Sequence, residues 1–391
     1  MKWLGDASYS VYLWHWPLVV VLLAVAPPEW MSLGKVSVLL ATGVLAGATY
    51  RWVEPLGRRV RPKAPSWAAL VAAGLVVAVV GGAGFMHAQH GRRATEALAI
   101  AQTRLGEGAC DGAMALVSGN SCKNTWAGVT SVERTKATEY WHLPPECRGS
   151  GVAPGGVPEF LCDFSEGRAR FETAYLTGDS HAQQWVRGVL YVAREMNWKI
   201  YVSFVGGCAV ADVPYIGYTK PAGDGGKGCR AKAAALKDRV LTLKPDRVVY
   251  SIFAREEKVQ TGPGEDAMGV WKRGLPVFWK AWAAKGIEVN ILADPPVNVP
   301  ARPATCLAQN MDDPRACAVS RARALTPDPL RVAHEGLDSP KIRLIDTTDA
   351  FCDRENCHAA LGGVPIYFDG NHISGTYARS LGPYLKRLIV G

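Results

Sequence analysis

The chain has 391 residues, is 48% hydrophobic and carries a formal charge of +9. That length accommodates one group of membrane segments and one sizeable globular domain, since single cores stop growing near ~250–300 residues. Nothing beyond the charge favours nucleic acid: no basic stripe is interleaved with aromatics, and Arg51, Arg58, Arg59, Arg61 and Lys63 flank apolar spans, where they read as topology determinants.

A mean hydropathy of +0.01 averages two unlike parts. Residues 11–86 are strongly apolar, and the remainder has the composition of an ordinary domain. About three α-helical membrane segments are predicted within residues 1–87: Ser10–Ala26, Val36–Val53 and Trp67–Met86. The third is an unbroken apolar stretch long enough for a ~30 Å hydrocarbon core, and the first two are shorter. A signal peptide fits poorly, because the start is nearly uncharged and Tyr12, Trp14 and Trp16 sit inside the apolar run. The basic loop after the second span is expected on the cytoplasmic side of the membrane. Everything beyond about residue 90 is then extracytoplasmic, against a weaker opposing signal from Arg92 and Arg93. His15 reads as an interfacial packing residue, and Glu54 as a partner for Arg51 or Arg58.

Ten cysteines follow, all after the last apolar span: Cys110, Cys122, Cys147, Cys162, Cys208, Cys229, Cys306, Cys317, Cys352 and Cys357. An even number confined to one region suits disulfides in an oxidising compartment. A zinc site has neither a CxxC pair nor a histidine at ligand spacing to support it, and no metal is expected. Neighbour pairing would give five short loops, Cys306–Cys317 and Cys352–Cys357 foremost, but sequence alone does not decide connectivity.

Residues 88–170, rich in Gly, Pro, Ala and Ser, read as a connecting region. From residue 171 short β-rich runs alternate with helical patterns. Strands are predicted at Thr173–Leu176, Lys199–Val205, Arg247–Phe253, Glu288–Ala293 and Ile342–Ile345, and helices at Ala182–Asn197, Arg230–Leu241, Ala267–Ala284 and Gly375–Leu388. The alternation predicts a three-layer α/β domain over 171–391 with a parallel sheet, and sites at the carboxyl ends of its strands.

Two loops carry the chemistry. In Gly178-Asp179-Ser180-His181 a strand ends, a glycine permits a tight turn, and Ser180 sits where a helix begins. Its backbone N–H and the helix start can serve a developing oxyanion. Equally, Ser180 or Asp179 could merely cap the helix. Near the end of the chain, Asp369-Gly370-Asn371-His372 places an acid and a base three residues apart. Asp369 would fix the imidazole and His372 would take the Ser180 proton, and the alternative is an Asx-turn beside an exposed histidine. Meeting at one sheet edge, the two loops favour the triad. His181 could line the site but is expected rather at the surface, His142, His334 and His358 are expected as loop histidines, and Trp185 and Tyr191 in the core rather than as a substrate platform.

Gly178-Asp179-Ser180 opening the domain and Asp369-x-x-His372 closing it resemble the first and last blocks of SGNH hydrolases. Ser8-Tyr9-Ser10-Val11-Tyr12-Leu13-Trp14-His15-Trp16-Pro17 and Tyr50-Arg51-Trp52-Val53-Glu54-Pro55 resemble late membrane motifs of the acyltransferase-3 family. The resemblance covers residues 1–86 and 171–391. It implies an O-acyltransferase that acylates a cell-surface glycan, lipopolysaccharide or peptidoglycan, by double displacement through Ser180, Asp369 and His372. No bound cofactor is implied. The acyl group, commonly acetyl and derived from acetyl-CoA, is substrate.

Two departures follow. The family's earlier membrane helices, with their essential His and Arg, do not precede Met1. A shortened product, a misplaced start or a separate membrane acyltransferase subunit acting in trans is therefore expected. The oxyanion blocks are also altered: Gly206-Gly207 could supply the glycine N–H, with Gly207 the candidate, while Ala254-Arg255 replaces the asparagine block and makes Arg255 a candidate donor. Esterase activity toward carbohydrate esters, or a non-catalytic glycan-binding role, are the alternatives to transfer.

Overall fold

The computed structural model describes residues 7–25, 31–53, 110–117, 122–132, 134, 139–153, 155–218, 220–297 and 304–391. They fall into two compact units, within Met1–Gln89 and His90–Gly391.

In the first unit, α1 (Ser8–Val25) and α2 (Met31–Ala48) pack together, and α2 ends in a π-helical turn at Thr49–Val53. Val38, Thr42 and Ala46 recur every fourth residue on the buried side of α2, and Ala7 and Ser10 are buried at the start of α1. Small residues at such a seam permit close approach. Trp14 Nε1 donates to Thr49 Oγ1 at 2.9 Å, and that hydroxyl donates back to the Leu45 carbonyl. The outward faces carry Tyr9, Tyr12, Trp16, Leu39, Leu40 and Val44, the reverse of a hairpin built for water. The first two expected spans thus emerge as helices, but among the described residues no helix is long and apolar enough to cross a membrane. Eighteen residues rise about 27 Å, and α1 interrupts its apolar run with Trp14-His15-Trp16-Pro17. The third expected span, Trp67–Met86, lies outside the described residues.

The second unit is built on a seven-stranded sheet. Its strands are β1 (Cys147–Ala153), β2 (Val157–Asp163), β3 (Thr173–Gly178), β4 (Lys199–Phe204), β5 (Arg247–Ser251), β6 (Glu288–Leu292) and β7 (Ile342–Ile345). The order is β1-β2-β4-β3-β5-β6-β7, with β4 through β7 parallel and β1-β2 an antiparallel edge. All five strands of the parallel core were legible in the sequence. A strand buried on both faces reads as a continuous apolar run, as Val248-Val249-Tyr250 does.

One face is covered by α3 (Ser180–Gln183), α4 (Val186–Glu195), α8 (Gly375–Ser380) and α9 (Gly382–Val390), packing Trp185, Val189, Tyr377 and Leu385. The other carries α5 (Lys227–Leu243) and α6 (Ala267–Ala283), whose stripe Val270, Trp271, Leu275, Phe278, Trp279 and Trp282 faces inward. A short helix α7 (Pro329–His334) is capped by Asp328 and packs on α6. The expected helix Ala182–Asn197 is broken at Gln184–Trp185, and Gly375–Leu388 at Leu381, each where one helix ends and a second begins.

The stretch read as a connector from 88 to 170 contributes both antiparallel strands and more. Ala113 N–H donates to Ser380 Oγ, and Val129 N–H to the Met311 carbonyl. Glu159 on β2 is buried yet fully paired: Arg239 binds it bidentately at 2.8 and 2.9 Å, Tyr175 OH at 2.9 Å and Ser150 Oγ at 3.1 Å. Burial works against its charge, but these donors hold the carboxyl below its usual range.

All ten cysteines pair with their neighbours, as Cys110–Cys122, Cys147–Cys162, Cys208–Cys229, Cys306–Cys317 and Cys352–Cys357. Cys147 and Cys162 are register partners, so this bridge staples the edge hairpin. A loop of that size stabilises by ~3 kcal/mol in the chain-entropy account.

Candidate active site

The parallel order doubles back around β3: the chain steps from β3 to β4 on one side, then crosses to β5 on the other. Such a switch point leaves a crevice at the carboxyl ends of β3 and β5. Gly178 ends β3 there with φ +145°, and a Cβ on it would lie 1.8 Å from the Ser251 carbonyl oxygen. Only glycine lets β3 turn this close to β5.

Asp179 then caps α3. One carboxylate oxygen accepts from His181 N–H at 2.7 Å and the other from Phe253 N–H at 2.8 Å, beyond the end of β5. The capping role therefore belongs to Asp179, and Ser180 stands half-buried as the first residue of the helix. Burial lifts the Asp179 carboxyl above its usual range, against the pull of His181 and the two N–H groups. Glu257, buried beside it, is raised well above its usual range by burial and by Asp179.

The second loop is a tight reversal. Tyr367 bridges Ile373, and Phe368 N–H donates to the His372 carbonyl. Asp369 accepts the N–H groups of Asn371 and His372 and holds His372 Nδ1 at 2.8 Å. The Asx-turn and the acid–base pair are thus both present, not alternatives. Ile373 N–H donates to Gln184 Oε1 at 2.8 Å, tying this loop to the helical turn that begins at Ser180. Tyr140 stacks on the His372 ring with centroids 4.1 Å apart, and Asn371 donates to Tyr218 OH. His372 Nε2 is buried and makes no hydrogen bond among the described residues. The Ser180–His372 link expected from the sequence is therefore not closed in this conformation, a common state of catalytic pairs before substrate binds.

Burial pushes the His372 imidazole below its usual value, the Asp369 bond opposes this, and His181 adds to it. Burial opposes the Asp369 charge, yet the His372 bond outweighs it and holds the carboxyl at about 2. A base must be neutral to work, so the acid limb of any His372-dependent activity should lie below the ordinary imidazole value of ~6.5. Asp369→Asn removes the pull that raises His372, so the limb should move to still lower pH while kcat drops ~10²–10⁴-fold. A pH–rate profile of the two proteins checks both signs.

Arg255, the candidate oxyanion donor, is drawn into an ion pair: its Nη1 binds Asp294 at 2.7 Å and the Pro295 carbonyl at 2.9 Å, while its buried Nε has no hydrogen-bond partner among the described residues. His181 is not at the surface but 1% exposed, its Nδ1 2.5 Å from Asp294 and its ring stacked on Phe253. Gly207 lies with φ +65° in the turn after β4, and its carbonyl accepts from Tyr215 OH. That turn is held to the serine loop by Val205 N–H donating to the Gly178 carbonyl. Gly206, with Trp141, Phe160, Phe204 and Gln183, lines a cleft of about 420 Å³. Trp185 is core as expected, His358 is buried against Asp353 and Trp126, and His334 bonds the Ile342 carbonyl.

Tyr140, Trp141 and Phe368 form an edge-to-face cluster beside His372 that the sequence did not single out. The only signal was the adjacent aromatic pair Tyr140-Trp141 in an otherwise patternless stretch.

A search of curated proteins finds no match. Among solved structures, the chain resembles one titled as the periplasmic domain of a Salmonella ser. Paratyphi A lipopolysaccharide acetyltransferase, with 14% identity over 57% of this chain and 85% of that one, at a TM-score of 0.42. The profile of a family described as the SGNH domain fused to AT3 domains matches residues 146–387, more than half of the chain. The protein therefore belongs to the family of SGNH domains found fused to AT3 domains.

Proposed function

We propose that the protein is an O-acyltransferase that moves an acyl group, acetyl in the simplest case, onto a hydroxyl of a cell-surface glycan through an ester on Ser180. The observation that carries this reading is the Asp369–His372 pair with an unengaged, buried Nε2, hydrogen-bonded through Ile373 to the helical turn that starts at Ser180. Family membership supports acyl chemistry. Five disulfides support an oxidising, extracytoplasmic setting, and the apolar helical hairpin supports attachment to a membrane. The acyl donor, acetyl-CoA-derived at its source, and any separate membrane subunit that delivers it belong to this reading; no bound cofactor and no nucleic acid do.

In the first half-reaction Ser180 Oγ gives its proton to His372 Nε2 and bonds to the acyl carbon, and the leaving group departs with that proton. Asp369 keeps Nδ1 protonated and steadies the imidazolium. In the second half, the glycan hydroxyl gives its proton to His372 and attacks the ester, and the proton returns to Ser180 Oγ. The Ser180 N–H and those of the Gly206-Gly207 turn are the backbone donors at this edge for the tetrahedral oxyanion, since Asp179 takes the N–H groups of His181, Ala182 and Gln183. Water in place of the glycan gives the esterase reaction by the same steps.

Acid-quenched incubation of the full chain, in detergent, with p-nitrophenyl acetate tests this reading. Peptide mass spectrometry should find an acetyl group on Ser180. Nitrophenol release with no adduct on Ser180, at any quench time, would overturn it.

A further inference from the structure

His181 is the most incongruous residue of the site. It follows the nucleophile, is 1% exposed, and is held by Asp294, which lies just past β6 and is itself paired with Arg255. Its Nε2 is buried without a hydrogen-bond partner among the described residues. The His181 and His372 rings lie 4.9 Å apart. The edge of the sheet therefore holds two imidazoles built alike, each with Nδ1 on a carboxylate and each with an unengaged Nε2.

A core histidine kept only for packing has both nitrogens satisfied or one in water, since leaving a buried polar atom unpaired is destabilising. His358 shares the unpaired nitrogen, but it packs against Trp126 and has no serine beside it. Asp294 occupies the Nδ1 side of His181, as Asp369 does that of His372, so Nε2 is the remaining hydrogen-bonding position of each ring. Two such positions need two partners, and the single Ser180 hydroxyl can serve only one. The other must come with the ligand.

We infer that His181 Nε2 is the docking point for a second hydroxyl of the acyl acceptor, so that the site takes a vicinal diol of a sugar: the reacting hydroxyl goes to His372 and its neighbour to His181. This rests on the transferase reading above and deepens it. His181 moves no proton in the reaction. It holds the second hydroxyl by a hydrogen bond, orients the acceptor against the Ser180 ester, and favours the sugar over water and simple alcohols, which lack that hydroxyl.

The test uses the full chain with p-nitrophenyl acetate as donor and either 1,2-cyclohexanediol or cyclohexanol as acceptor, which differ by one hydroxyl. Wild type should transfer acetyl to the diol with a kcat/KM about tenfold or more above the mono-ol. His181→Phe, which retains a ring to stack on Phe253, should lose that preference, chiefly through a higher KM for the diol. His181→Gln, with a hydrogen-bonding amide, should recover part of it. Near-UV circular dichroism checks that each variant is folded. Equal transfer to both alcohols by wild type, or an undiminished preference in His181→Phe, overturns the inference. Ser180-independent nitrophenol release instead overturns the transferase reading. Diol binding to the Ser180→Ala chain by saturation-transfer NMR needs no chemistry. Unchanged binding when His181→Phe is added would sink the inference by itself.

Discussion

Ser180→Ala is expected to lower kcat for p-nitrophenyl acetate by at least ~10⁴-fold, leaving the thermal midpoint within a few degrees of wild type. The first figure follows from removing the atom that carries the acyl group in the proposed mechanism. The second follows from the cap: Asp179, not Ser180, accepts the helix N–H groups, and Ser180 is only half-buried. His372→Ala should cost a similar factor, and the double variant little more than either single one, because nucleophile and base act as one unit. Additive losses would show that the residual rate passes through a different nucleophile. Stopped-flow release of nitrophenol with all three proteins, beside thermal melts, gives the answer.

The second large effect is structural. Gly178→Ala asks an L side chain to adopt φ +145° with its Cβ 1.8 Å from the Ser251 carbonyl and 2.7 Å from Ala182 Cβ. Backbone strain and overpacking each cost ~1–3 kcal/mol, so ~2–6 kcal/mol together. For a domain of this size that lowers Tm by ~4–24 °C. Relief would require β3 to part from β5, which also removes Phe253 N–H from Asp179. Gly149→Ala is the control, since a Cβ there meets nothing within 4 Å. Denaturation of both variants should separate them clearly, and equal midpoints would contradict the close approach of the two strands.

The parts of the fold written in local pattern could be read directly. Ile342–Ile345 was placed to the residue, and the other parallel strands to within two, because buried parallel strands are runs of β-branched residues. β1 could not be read that way. Of Cys147-Arg148-Gly149-Ser150-Gly151-Val152-Ala153 only Ala153 is buried, so the strand owes its existence to pairing with β2 and to the Cys147–Cys162 bridge. In the site, the Asp369–His372 pair was legible because its members are three residues apart. His181 was misread because its carboxylate partner, Asp294, is 113 residues away, and the Arg255–Asp294 ion pair was not legible because nothing local announces it. Long-range charge pairing leaves no periodic trace in a sequence.

The bonds that draw the serine loop together have a consequence for how the site comes into being. Asp179 is completed by a backbone group 74 residues further on, and Gln184 by one 189 residues further on. β3, first of the parallel strands in the chain, sits in the middle of the sheet and waits for β5 to flank it. Contacts of such separation form late, because the chain must close long loops before they are rewarded. A partly emerged chain therefore holds Ser180 without the Asp369–His372 loop and with an unfinished cap. On the proposed mechanism, reactivity would switch on only when the last 23 residues, Asp369 to Gly391, dock, so that completion of folding itself would license the chemistry.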